Sequence, residues 1–522
     1  MSSSDRETAG DILARFLERL RGADWTRATA LQKASVVNWT KEHLTLVPDL
    51  GTHVAKHMGI PEFDMELLLA MSPADVLTSF EWAALKDMGP GSNVPVGRTW
   101  DVFPRDGFFG DYLEYTLNSE APIEFHFFTA ATILGVVAKR NFVFYLGHSD
   151  IFPNLWTVLV AESGICRKTS AINIGKRLLD HVKGVNFITT STTPEFLVEQ
   201  LKAEVDGTTY DEGKDQVDFH FTASQGFIVA PELPVFLGKQ QYNEGLIQRL
   251  TDLSDNPRDW SAGTRREKRE ELKNVSLSLE GGITPESLRT AIPRTAHGGG
   301  FMSRILWISK ETTPRRIPLP PPPSPLLKAK LLDHLDRISR ADPAILTCTR
   351  ETAAWFAEWY NGLRDSVEGT QRKVQGYLER KPANLWRLAA LLVLGQTKHE
   401  IREVEGRREC NVPLECLKWS DQVLQDIEEP LYQTVSQVDA TATGEALERV
   451  RRSLYRLTQK SLLRRVGHSD LLRSVSMYMN TKELHGHLQT LQASHEVVTE
   501  EALKAGHTVT FYKLGPKFRS RS

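Results

Sequence analysis

Cysteine is scarce in this chain of 522 residues, which has four: Cys166, Cys348, Cys410 and Cys416. Four in such a length build no disulfide framework and point to a reducing compartment. Cys410 and Cys416 lack a second close pair, so they read as buried thiols, with a zinc site as the rival. Long apolar runs are missing too. The two most apolar stretches, 125–138 and 388–394, fall short of the ~20 residues a membrane helix needs. The first residues also lack the apolar segment of a signal peptide. We therefore expect a cytoplasmic location and no membrane partner. Neither sign of charge dominates: 64 Lys and Arg face 66 Asp and Glu, a net charge of −2. Any nucleic-acid binding must then come from a local basic patch. With 40% apolar and 25% charged residues, wholly disordered, collagen-like and fibrous chains are excluded.

What is present divides along the chain. Residues 1–100 read as a helical N-terminal domain of short amphipathic helices, one carrying Ile12, Leu13, Phe16 and Leu20, closed by a Gly/Pro-rich stretch at 88–97. From 108 to 312, helical segments alternate with apolar, often β-branched runs at 155–160, 185–188, 227–230, 275–279 and 305–309. This alternation predicts an α/β core with a largely parallel sheet. Seven prolines between 314 and 325 make 313–325 a stiff connector. Residues 326–435 read as helical, with 385–394 apolar nearly all round and Ala353, Phe356 and Tyr360 on one face.

The C-terminal segment, 441–522, has its own layout. Helices at 445–459 and 469–474 precede a third that opens after Asn480 as N-cap, with Leu484, Leu488 and Leu491 inward, and strands follow at 497–499 and 508–514. This is the order of a winged helix-turn-helix. Fourteen basic residues there face seven acidic ones, a local net charge of +7. Such a patch on a groove-reading layout points to DNA, with a protein-contacting wing or a solvated face as the other readings.

The strand ending at Val160 runs into Ala161-Glu162-Ser163-Gly164-Ile165-Cys166-Arg167-Lys168-Thr169-Ser170, ahead of a helix. Strand, loop, Lys-Thr and helix form the setting of a phosphate-binding loop. Loop N–H groups and the helix N-terminus would hold the phosphates, Lys168 would reach the β and γ oxygens, and Thr169 would bind Mg2+. The standard pattern has glycine where this chain has Glu162 and Arg167, and an ordinary strand-to-helix turn is the competing reading. The strand at 227–230 ends in Pro231-Glu232. A carboxylate at a strand tip orients attacking water in nucleoside triphosphatases, which is the role expected of Glu232; a start signal for the next helix is the alternative. Pro231 stands where an aspartate often helps hold the metal. Thr284, after Glu280-Gly281-Gly282-Ile283, is a candidate γ-phosphate sensor, or part of a plain glycine turn. Arg304, behind Gly298-Gly299-Gly300, and Arg380, before Lys381-Pro382, are candidate arginine fingers or surface ion-pair partners. The cluster of Arg265, Arg266, Lys268 and Arg269 would track a nucleic-acid backbone, although neighbouring glutamates favour a solvated face.

Taken in order, these residues resemble a family of P-loop ATPases from phages and bacterial mobile elements, some fused to primase modules and similar to hexameric replicative helicases. The resemblance covers 108–435. It rests on Ala121-Pro122 with Phe125-His126, Pro153-Asn154-Leu155, Ser163-Gly164 with Arg167-Lys168-Thr169, the strand ending at Glu232, Gly281-Gly282-Ile283-Thr284-Pro285, and Ser303-Arg304. It implies a P-loop NTPase core of the RecA/AAA+ kind, with ATP and Mg2+ bound at Ser163, Gly164, Arg167, Lys168, Thr169 and Ser170. It also implies a homo-oligomeric ring, such as a hexamer, that works on DNA as a helicase-like motor or loader. The rival expectation is a catalytically weak or inactive DNA-binding and assembly protein.

Overall fold

The computed structural model describes residues 16–18, 20–45, 47, 49–87, 106–202, 205–209, 217–221, 223–238, 240–263, 270–292, 300–313, 316–367, 372–396, 401–438, 442–461, 463–476, 479–504 and 507–516. Ile12, Leu13, the stretch 88–97, the basic residues 265–269, Gly298, Gly299 and Pro314 lie outside them. The chain forms two compact units, Met1–Gln433 and Thr434–Ser522.

Among the described residues, the first unit has helical residues at 16–18 and 20–21, followed by α1 (Ala30–His43), α2 (Leu50–Met58), α3 (Glu62–Ala70) and α4 (Pro73–Asp87). Their shared core is Val37, Leu50, Val54, Leu68 and Val76. Helices α5 (Gly107–Tyr115) and α6 (Ile123–Ala138) follow, then strands β1 (Phe142–Leu146), β2 (Ser149–Ile151) and β3 (Trp156–Val160).

Helix α7 (Lys168–Leu179) leads through β4 (Phe187–Ile188) and α8 (Pro194–Leu201) to the hairpin of β5 (Val205–Thr209) and β6 (Val217–Phe221). Next come β7 (Gln225–Ala230), α9 (Leu233–Leu237), α10 (Gln240–Leu253) and the hairpin of β8 (Asp259–Ala262) and β9 (Glu270–Lys273). Strand β10 (Ser276–Ile283), α11 (Pro285–Ala291) and β11 (Leu306–Ser309) complete this stretch.

Five of these strands form one sheet in the order β11-β3-β10-β7-β4, and every pairing in it is parallel. The expected α/β architecture with a parallel sheet is therefore present. Both faces of the central strands are covered, which is why every residue of β3 and β10 is buried. Strand β10 runs on through Glu280, Gly281 and Gly282, so the glycine pair belongs to the sheet and not to a turn. A Cβ at Gly282 would stand 2.5 Å from the Pro231 carbonyl oxygen, so only glycine lets the chain leaving β7 cross so closely.

The segment after the proline run is helical as expected, with α12 (Pro325–Ser339), α13 (Arg350–Val367), α14 (Arg372–Leu394) and α15 (Leu414–Val438). It also supplies three strands absent from the sequence reading: β12 (Ala344–Thr347), β13 (Ile401–Val404) and β14 (Arg407–Asn411). With β1 and β2 they make a second sheet, β13-β14-β12-β1-β2. These strands are short, and β12 joins the sheet through β1, some 200 residues away, while β13 and β14 form a local antiparallel hairpin of mostly polar residues, so apolar periodicity does not reveal them. On α13 the inward positions include Thr352 and the ring of Phe356, while Ala353 is exposed.

The second unit holds α16 (Ala442–Lys460), β15 (Arg465–Gly467), α17 (His468–Val475), α18 (Thr481–Ala493), β16 (Val497–Lys504) and β17 (His507–Leu514). Its sheet is antiparallel, in the order β15-β17-β16. Asn480 caps α18 in a capping box with Glu483. Leu484, Leu488 and Leu491 enter a core with Val450, Leu454, Leu471 and Val497.

Candidate functional site

In an open parallel sheet, ligands settle outside the carboxyl ends of the strands, where chain connections leave in opposite directions. Here the connection from β3 leads away through α7 to the far edge at β4, whereas β11, the last strand, joins β3 on its other side. The carboxyl ends deliver the loop 161–167 from β3, Glu232 from β7, Thr284 from β10 and Lys310 from β11. Sequence reasoning named all but Lys310, whose ammonium binds Glu124 Oε1 at 2.5 Å.

The loop after β3 is shaped by two left-handed residues. Gly164 has φ +76° with open space around its Cα, so the backbone angle alone selects glycine there. Arg167 has φ 51° and ψ 37°. The position before the lysine thus keeps a glycine-like backbone without a glycine, at a cost of roughly 1–2 kcal/mol. Its guanidinium donates Nε–H to Glu120 Oε2 at 2.8 Å, and Glu120 Oε1 accepts the Ile317 N–H at 2.8 Å. The Ile317 amide first, and Arg167 next, hold the Glu120 carboxyl below the usual range.

Lys168 begins α7 and is buried. Its ammonium donates to the carbonyl oxygens of Ala161 at 2.6 Å and Glu162 at 3.2 Å, filling the hollow of its own loop. Burial pulls its pKa down, and the nearby charge of Glu232 opposes this. Ser163, Gly164, Thr169 and Ser170 are exposed around it. Glu232 is exposed at the start of α9, and its side chain makes no capping bond there. The Thr284 hydroxyl caps α11, accepting the Ser287 N–H at 3.1 Å and donating to Ser287 Oγ at 2.9 Å.

The amino end of α7, the buried Lys168 and exposed hydroxyls at Thr169 and Ser170 suit a polyphosphate: the donors are present and the helix dipole favours an anion. A divalent ion would have the Thr169 hydroxyl and the phosphates themselves as ligands. Among the described residues, no group of three or more His, Cys, Asp or Glu could hold a metal ion. Cys410 and Cys416 are buried thiols, pushed up to about 11 and about 12 by burial.

Arg304 and Arg380 lie apart from this loop in sequence and share one partner that sequence reasoning missed. Asp255 Oδ2 accepts Arg304 Nη2 at 2.9 Å, while Arg380 donates Nη1 and Nη2 to its two oxygens. Arg387, one turn from Asn384 on α14, faces the same group, and burial pushes its guanidinium down to about 10. Asp255 sits in the polar stretch Ser254-Asp255-Asn256 after α10, which has no signal beyond that of a turn.

A second missed group is Glu280. Fully buried in β10, it accepts a short hydrogen bond from the Thr129 hydroxyl of α6. Burial pushes its carboxyl up to about 8. It belongs to the interior of the sheet and not to the carboxyl end.

Among the described residues, no helix is long and apolar enough to cross a membrane. The chain matches no family model and no curated protein.

Proposed function

We propose that this chain is an ATP-dependent motor of the P-loop kind that acts on DNA. The observation that carries the reading is the convergence at the carboxyl edge of the sheet of a lysine on the first turn of α7, held in a loop with two left-handed residues, and an exposed carboxylate at the tip of β7, with β10 between the two strands. The parallel order β11-β3-β10-β7-β4 supports it, since it brings the loop, Glu232 and Thr284 to the same side.

In this reading, the α7 amides and Lys168 bind the phosphates, the lysine exchanging two carbonyl oxygens for phosphate oxygens. The Thr169 hydroxyl would hold Mg2+, which would supply neutralisation of developing charge. Glu232 takes a proton from the water that attacks the γ-phosphorus, while the bond to the β–γ bridging oxygen breaks and ADP leaves. Thr284 stands by as a γ-phosphate contact if it releases its cap. Arg304 and Arg380 serve a neighbouring subunit of a ring. The C-terminal unit, read as a winged helix, lays α18 in the major groove, with Lys482, His485 and Gln489 on its exposed face.

A second reading, an assembly protein that binds DNA without turnover, is favoured by one observation: Lys168, Thr284, Arg304 and Arg380 are all engaged within the chain. A DNA-stimulated ATPase assay on the parent and on Lys168→Ala separates the two. Hydrolysis abolished by the substitution supports the motor; no hydrolysis in either, with DNA still bound, selects the assembly protein.

A further inference from the structure

Beside the loop lies a cavity of 580 Å3 that no sequence motif marks. Small-molecule sites fall in the range of about 300–1,000 Å3. One wall is the N-cap and a single face of α7: Arg167, then Ser170, Asn173, Ile174 and Arg177, which recur at the three- and four-residue spacing of one helical stripe. A second wall is the end of α5 and the turn after it, from Tyr115 to Glu120. The third is the proline run, with Ile317, Pro318, Pro320 and Pro323.

The proline run is more than a connector, because it is fastened across this opening. The Ile317 N–H binds the Glu120 carboxylate, and Asn118 Nδ2 donates to the Pro321 carbonyl at 2.8 Å. The Thr313 hydroxyl also donates to the Glu120 carbonyl oxygen. Proline fixes its own backbone angle, so this wall is rigid and presents apolar ring faces. The cavity is therefore a slot, apolar at Ile174 and the prolines, polar at Ser170 and Asn173, cationic at Arg177, and lined at the loop by the paired charges of Arg167 and Glu120. Its near end is Ser170, next to Thr169 on the first turn of α7. From Thr169 to Arg177 the helix rises roughly 12 Å, on the scale of the reach from phosphate to base in an extended nucleotide.

We propose that this slot holds the nucleoside half of the triphosphate. The base lies between the proline wall and the Arg177 guanidinium, a planar group that stacks on rings, and the ribose lies near Ser170 and Asn173. The inference rests on the nucleotide reading above and extends it to residues outside the loop.

Calorimetric titration of the full chain tests it, with a non-hydrolysable ATP analogue and inorganic tripolyphosphate as probes, each with Mg2+. Arg177→Ala removes an exposed side chain, and Asn173→Trp fills the slot; thermal unfolding reports whether either variant is misfolded. Both substitutions are expected to weaken the ATP analogue by about tenfold or more and to leave tripolyphosphate unchanged, whereas Lys168→Ala weakens both probes. If folded Arg177→Ala and Asn173→Trp bind the ATP analogue as the parent does, or lose both probes equally, the slot is not the nucleoside site, although the loop reading survives. If the parent binds neither probe, the loop reading fails and the slot proposal falls with it.

Discussion

Arg380 grips Asp255 with both terminal nitrogens, Nη1 on Oδ1 at 2.6 Å and Nη2 on Oδ2 at 3.1 Å. Arg304 adds a third bond to the same carboxylate. Burial opposes the charge on Asp255, yet the hydrogen bonds and charge of Arg380, with Arg304 and Arg387, hold its carboxyl below the ordinary range. Three guanidiniums gather around this carboxylate, with the charge of Asp252 acting on Arg304 as well, so the cluster leans on Asp255 to offset their mutual repulsion.

Asp255→Asn should therefore lower the stability of the first unit. The carboxylate is nearly half exposed, so solvent screening trims the loss to about 1–3 kcal/mol. The midpoint of urea unfolding checks this. An unchanged midpoint would show that the cluster holds nothing together.

Glu280 sets a pH dependence. Its folded pKa of about 8 lies above the 4.5 of an ordinary glutamate carboxyl, so the folded chain binds the extra proton. Its contribution to stability is full below pH 4.5 and is lost as pH rises toward 8. Glu280→Gln should remove that slope, which reaches at most about 1.4 kcal/mol per pH unit. Unfolding midpoints of parent and variant, compared from pH 5 to 9, should converge in slope only above pH 8. Parallel curves throughout would mean that Glu280 is charged in the fold.

At Arg167, glycine would relieve a left-handed backbone at roughly 1–2 kcal/mol. It would also remove an ion pair to Glu120 whose arginine is half exposed, and solvent screening keeps such a pair weak. The first effect is larger, so Arg167→Gly should raise the thermal midpoint slightly. A clear fall would show that the Glu120 link, and with it the fastening of the proline wall, matters more than the backbone.

The second unit neutralises part of its own charge. Arg451 holds Glu496 through two nitrogens, and Arg465 and Lys513 share Glu500. Exposed Arg456, Arg464 and Lys482 remain on its surface. Each one replaced by alanine should weaken DNA binding at every sequence tested and reduce the salt slope by about 1. Fluorescence anisotropy across a salt series measures both, and an unaltered slope for all three would remove DNA from this face.

How much of this was legible beforehand differs from element to element. The five parallel strands stood out because strands covered on both faces are nearly continuous apolar runs, as at Trp156–Val160. The third helix of the second unit was marked by Asn480 and three leucines. Lys168 and Thr169 were visible because a short loop joins them to a strand end and a helix starts there, and Glu232 because it stands two residues past the end of β7. Strands β12, β13 and β14 were not: β12 takes its meaning from β1, some 200 residues away, and the β13–β14 hairpin is short, charged and mostly exposed, with no apolar run to mark it.

What the sequence determined by itself is local: alternation of strand and helix, caps, breaks at proline, and the order of chemical groups along the chain. Tertiary structure alone decided which groups meet. It set Asp255 between Arg304 and Arg380, drew the proline run over α7 through Glu120, and sealed Glu280 against Thr129. Such pairings join residues dozens to hundreds of positions apart, and their energies depend on burial and distance, which exist only once the chain has closed on itself.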